Sequence, residues 1–170
     1  MSKTEWTNAD IPDLEGRTIV ITGANSGLGL ESTRNLARAR ATVIMACRNA
    51  EKATQAVTDI RASVPDAQIV VQQLDLASLA SVRSFSEALL TAGTPIDILM
   101  NNAGLMALDE SRTVDGFETQ IGVNHLGHFA LTGLLLPLVA AAPNGRIVSV
   151  SSDGHRPGKI HLDDLMCDQR

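Results

Sequence analysis

Three glycines, Gly23, Gly27 and Gly29, stand in the run Thr22-Gly23-Ala24-Asn25-Ser26-Gly27-Leu28-Gly29. An apolar stretch, Thr18-Ile19-Val20-Ile21, leads into the run, and an amphipathic stretch, Leu28 to Ala39, leaves it. Strand, glycine turn and helix together form the layout that binds a dinucleotide. Glycine lets a backbone turn sharply and approach a ligand with no Cβ in the way. A helix that begins at such a turn points free N–H groups and a positive dipole end at a diphosphate. The spacing is Gly-x3-Gly-x-Gly rather than the commoner G-x-G-x-x-G. An ordinary glycine-rich connection is the competing reading, and the flanking strand and helix favour nucleotide binding.

Arg48 is the next candidate. An acid at the tip of the second strand would hold a ribose 2′-hydroxyl, and an arginine there accepts a 2′-phosphate. No acid occurs between Arg34 and Ala50, and the planar guanidinium of Arg48 suits a phosphate. NADP(H) is therefore expected, with NAD less favoured; a merely solvated arginine is the alternative. Cys47 beside it reads as a strand-end residue packed near the cofactor rather than as an activated thiol. Asn124 lies in an apolar helical stretch, where its amide must find partners or cost about 1–3 kcal/mol. His125 and His128 have the i, i+3 spacing of a metal pair, but no third ligand is near in sequence. Packing or capping is preferred for both, and no metal is expected. His155 and His161 fall in a loop-like tail that borders possible substrate space.

These residues need elements to position them. Residues 1–15 read as a polar lead-in and 16–170 as one domain. Strands are expected at 17–22, 42–46, 69–74, 96–100 and 146–150. Helices are expected at 27–38, 49–63 (closed by Pro65), from a Ser78 cap to Gly93, and as one long stretch over 114–142 kinked by Pro137. Apolar strands alternating with helices call for a parallel sheet covered on both faces. Right-handed crossovers then give an α/β, doubly wound Rossmann-type sheet of about five strands in the order 3-2-1-4-5. Ligands in such sheets lie beyond the carboxyl ends of the strands, where the glycine turn, Arg48, Asp75-Leu76, Asn101 to Gly104 and Ser151-Ser152 all fall.

The 170 residues carry a net charge of −5, and no basic block is present. That excludes nucleic acid or an anionic membrane surface as the expected partner. The longest apolar run, Leu134 to Ala142, is too short to span a bilayer, and residues 1–6 show no leader-like apolar region. Two distant cysteines, Cys47 and Cys167, do not form a disulfide framework. A cytoplasmic protein with no membrane span is expected. The chain has no tyrosine.

Taken together, the tags resemble the short-chain dehydrogenase/reductase family. Thr22 to Gly29 looks like its cofactor turn, Asp75-Leu76 like its adenine contact, and Asn101-Asn102-Ala103-Gly104 like its signature after strand four. Asn124 matches its catalytic asparagine, and Ser152, chosen over Ser151, its catalytic serine. The wording of residues 124–129 is most similar to the branch of retinol dehydrogenases, WW-domain oxidoreductases and protochlorophyllide reductases. The resemblance implies hydride transfer between a nicotinamide and a carbonyl or alcohol of a small molecule. It implies cofactor contacts at Gly23, Asn25, Ser26, Gly27, Leu28, Gly29, Arg48, Asp75, Leu76, Asn102, Ala103 and Gly104. Asn101 is instead expected to bridge backbone groups of neighbouring strands. The family's Tyr-x-x-x-Lys pair is not reached by Arg170, so the chain looks cut off before further strands, and by itself is expected to be nearly inactive and poorly soluble. A homo-oligomer is possible. The alternative is a non-catalytic NAD(P)-binding or sensor module. One departure is visible: relatives often carry glycine where this chain has Ala39-Arg40-Ala41.

Overall fold

Strand β1 (Thr18–Thr22) is buried along its whole length, which requires a central strand covered on both faces. In the computed structural model, which describes residues 6–156 and 158–168, β1 lies in the middle of five parallel strands in the order β3-β2-β1-β4-β5. The other strands are β2 (Thr42–Cys47), β3 (Ile69–Gln73), β4 (Ile98–Asn101) and β5 (Arg146–Ser149). The sheet order expected from the sequence is the order observed. The expectations for the leader region at 1–5 and the chain end at Arg170 fall outside the described residues.

Strand alternation sorts the core into two layers. Ile19, Ile21, Val43, Met45 and Cys47 pack with Ala53, Ala56 and Ile60 of α2 (Ala50–Ser63) and Ala37 of α1 (Gly27–Arg38). Val20, Ile44 and Leu99 pack on the other face, with Val82, Phe85 and Leu89 of α3 (Leu79–Ala92) and Leu131, Leu135 and Leu138 of α4 (Thr119–Ala141). Asn49 and Ser78 cap α2 and α3 through their side chains, and Gly93 closes α3 in the left-handed conformation at φ 67°.

The last helix departs from expectation. Helical structure begins at Thr119, not near 114, and α4 runs Thr119–Ala141. A turn with Gly116 at φ 86° interrupts any earlier start, and the Glu118 carboxylate caps the amides of Gln120 and Ile121 at 2.8 Å each. The irregularity in α4 is a π-turn at Gly122–Gly127, and the helix continues through Pro137. By length and composition α4 could cross a bilayer, and 39% of its most apolar window is buried inside the fold. Leu131, Leu135, Leu138 and Val139 are the side chains it lays on the sheet.

The corner before β2 tolerates its missing glycine. Arg40 adopts φ 72°, and the amides of Arg40 and Ala41 bond back to Ala37 and Leu36 at 2.9 and 3.1 Å. That is the Schellman pattern with arginine in the left-handed position. The Arg40 guanidinium pairs with Asp13 and Glu15, and the Leu14 amide bonds the Ala39 carbonyl at 2.8 Å. The lead-in is thereby fastened to the end of α1. At the opposite side of the sheet β5 is the edge, exposed at every residue.

Candidate cofactor and catalytic cleft

A groove crosses the carboxyl ends of the strands in two lobes that share Asn102, Ala103, Gly104, Leu105 and Val150. The smaller lobe, about 470 Å³, lies at the glycine turn. The larger, about 930 Å³, lies between the end of β4, the π-turn and the segment after β5. Ten of the twelve residues expected to hold the cofactor line the smaller lobe: Gly23, Asn25, Ser26, Leu28, Arg48, Asp75, Leu76, Asn102, Ala103 and Gly104. Gly27 and Gly29 line neither lobe.

The two remaining glycines shape the turn instead. Gly27 takes φ 52°, a conformation that favours glycine, with open space where a Cβ would lie. Gly29 is buried, and a Cβ there would strike the Gly23 carbonyl oxygen and come within 2.6 Å of Asn102 Nδ2. Close passage of helix over turn is therefore possible only with glycine at 29. Ser26 occupies the N-cap of α1 but its hydroxyl makes no capping bond. The amides of Gly27, Leu28 and Gly29, which have no acceptor inside the helix, thus remain to meet an anion. A diphosphate fits this cradle in charge and shape. The Cys47 thiol is buried at the end of β2, and burial pushes its pKa up. It is a packed strand-end residue, as expected.

Arg48 is exposed at the mouth of the smaller lobe and makes no hydrogen bond or ion pair with the described residues. Asp75 is half-buried; its Oδ1 accepts from the Ala77 amide at 2.9 Å, and its own amide donates to Ser81 Oγ at 2.9 Å. The carboxylate stays on the cleft wall ahead of the Ser78 cap.

Of the two asparagines at the end of β4, it is Asn102 that takes on the bridging expected of Asn101. Asn101 does not bridge strand backbones: its Nδ2 donates to Thr132 Oγ1 on α4 at 2.9 Å. Its buried Oδ1 has no partner among the described residues, and the residue itself lines the larger lobe. Asn102 makes the strand-to-strand link, through Nδ2 to the Thr22 carbonyl at 2.8 Å and its amide to Thr22 Oγ1 at 2.9 Å. Both backbones end side by side there, so the longer reach falls to the residue just past the strand.

Both catalytic candidates, Asn124 and Ser152, line the larger lobe. The Asn124 side chain clamps Leu105, accepting from its amide at 2.9 Å and donating to its carbonyl at 2.8 Å. Ser152 Oγ accepts from the Gly154 amide at 3.1 Å, which leaves its proton free to donate. Strand alternation does not turn Ser151 away, because β5 ends at Ser149; Ser149, Ser151 and Ser152 all line the lobe.

Sequence reasoning missed Thr22 as a junction. Its buried hydroxyl accepts from the amides of Asn102 and Ala103 at 2.9 Å each and lies 2.9 Å from His128 Nε2. The threonine at the head of the glycine run was the available signal. His128 is buried and turned inward, while His125 is exposed and its ring lies 6.2 Å from that of Phe129.

Known proteins share this arrangement. Retinol dehydrogenase 12 of Mus musculus is 46% identical over 164 residues, 96% of this chain and 51% of that protein. A crystal structure of an uncharacterized protein from Mycobacterium paratuberculosis superposes with a TM-score of 0.84 and 49% identity, covering 97% of this chain and 57% of that one. A short chain dehydrogenase from Escherichia coli complexed with NADPH gives a TM-score of 0.73 at 28% identity, with 91% and 66% covered. The chain spans about half the length of the curated relatives it matches. The glycine cradle, the five-strand order and these similarities agree with the match of residues 17–162 to the model of short chain dehydrogenases, and the chain belongs to that family.

Proposed function

We propose that this chain forms the coenzyme-binding and carbonyl-positioning part of an NADP(H)-dependent oxidoreductase acting on a small-molecule carbonyl or alcohol. The observation that carries the reading is one continuous groove with an unpaired Arg48 at one end and Asn124 and Ser152 at the other. The helix-start amides of Gly27 to Gly29 hold the diphosphate, and Arg48 takes the 2′-phosphate. Asp75 and Leu76 border the adenine, and Asn102 to Gly104 wall the passage to the nicotinamide end. When bound, the coenzyme supplies or accepts the hydride.

This chain's own residues orient and polarise. Ser152 Oγ, already accepting from Gly154, donates a hydrogen bond to the substrate oxygen. Asn124, clamped to Leu105, fixes the loop that forms one wall of the larger lobe and offers its backbone carbonyl to a proton path. The chain holds no tyrosine, so the tyrosine general acid of the family pattern is not among these residues. Its contribution is typically about 10²–10⁴ in rate. The names of the relatives make an apolar alcohol or aldehyde of the retinol kind the first substrate to try. Met106, Phe129 and Ile147 on the lobe wall support an apolar ligand.

Fluorescence titration of the full-length protein with NADPH and with NADH tests the reading. NADPH is expected to bind at least about tenfold more tightly, the effect of one charge-assisted phosphate contact. Equal affinities, or a preference for NADH, overturn it.

A further inference from the structure

Building on the function proposed above, we propose that His128 is a positioning residue of the catalytic lobe, a neutral imidazole protonated on Nδ1 that ties the Asn124 backbone carbonyl to the cofactor turn. A count of lone pairs carries the inference. Thr22 Oγ1 has two, and the amides of Asn102 and Ala103 occupy both at 2.9 Å. The hydroxyl proton must then point at an acceptor. His128 Nε2 stands 2.9 Å away and the Met100 carbonyl 3.5 Å, at the outer limit of a hydrogen bond. Nε2 is therefore bare, and the ring proton resides on Nδ1, which donates to the Asn124 carbonyl at 3.1 Å.

The ring cannot trade these partners for solvent, since His128 is 6% exposed. The carbonyl it holds belongs to the π-turn, where the regular helical ladder is broken. One imidazole thus joins the first residue of the glycine run to the lobe where Ser152 lies. The amides facing the diphosphate do not depend on it, so its loss should disturb turnover more than cofactor affinity.

Long-range ¹⁵N correlation spectra of the full-length protein report the tautomer of each of its histidines directly, with the His128 signal assigned by its loss in His128→Gln. Kinetics with NADPH and retinal, beside NADPH affinity by fluorescence, report the role. The expected results are the Nδ1-protonated neutral pattern and a kcat lower by about 10–100-fold in His128→Phe. NADPH Kd in that variant is expected to change less than about threefold, and His128→Gln, which retains a donor and an acceptor, to recover most of the turnover. An Nε2-protonated ring or an imidazolium near neutral pH overturns the inference, as does a Phe variant whose kcat is unchanged or whose Kd and kcat fall together. Should the Phe variant not fold, the wild-type tautomer and the Gln kinetics decide. Wild-type protein that binds no NADPH overturns the proposed function and this role with it, whereas binding with the wrong tautomer overturns the role alone.

Discussion

Thr22 Oγ1 and His128 Nε2 are separated by 2.9 Å in space and 106 residues in sequence. The hydroxyl also receives the amides of Asn102 and Ala103, so three segments of the chain meet on one buried oxygen. The Met100 carbonyl, at 3.5 Å, is itself an acceptor and offers the imidazole and the amides no equivalent hydroxyl.

Thr22→Val keeps the shape of the side chain and removes that oxygen. Two amides and one imidazole nitrogen then lose their partner, each at about 1–3 kcal/mol before relaxation. A stability loss of about 2–4 kcal/mol is expected by urea denaturation, with Thr22→Ser much closer to wild type. A Val variant as stable as the parent would remove Thr22 from its central place.

The same junction predicts a pH dependence of stability. Burial lowers the His128 pKa, and the nearby His125, the other titratable ring beside it, lowers it further. The unfolded histidine titrates near 6.5. Above that pH neither state binds the proton and His128 contributes no slope. As pH falls below it, the unfolded chain takes up a proton that the folded one refuses, so stability declines, by at most about 1.4 kcal/mol per pH unit for this group. Denaturation curves between pH 7.5 and 5 should show the decline, and His128→Gln should flatten it.

At the other end of the groove, Arg48→Ala should weaken NADPH binding by about 10–100-fold, the size of a lost charge-assisted contact. NADH affinity should change by less than about threefold. A parallel loss for both coenzymes would show that the guanidinium does not read the 2′-phosphate.

Two glycines separate close packing from open space. Gly29→Ala places a methyl against the Gly23 carbonyl, fixed backbone that cannot give way cheaply. Loss of NADPH binding or of the fold is expected. Gly133→Ala, in the exposed middle of α4 with nothing within 4 Å of the new carbon, should raise stability by about 0.5–1 kcal/mol. Thermal melts with and without NADPH check both.

Much of this was legible in order along the chain. The apolar runs at 18–22, 42–47 and 69–73 are strands, and their alternation with helices sets a parallel sheet with its ligand groove at the carboxyl ends. Arg48 could be singled out because no acid stands between Arg34 and Ala50. The misreadings share one cause. The start of α4, the bridging role given to Asn101, and the orientation of Ser151 all depend on where a backbone ends against its neighbour. A helical pattern over 114–142 gives no sign that Gly116 will adopt a positive φ or that Glu118 will cap the helix.

By itself, then, the order of residues determined the layers, the sheet order and the location of the cleft, because hydrophobic period and glycine spacing act over a few neighbours at a time. Only the tertiary structure decided that His128 faces Thr22, that Asn124 grips Leu105, and that Asn101 leaves a buried oxygen without a partner among the described residues. Such partners are chosen by which groups burial brings together from distant segments, and a buried donor or acceptor must take one of the few it meets there.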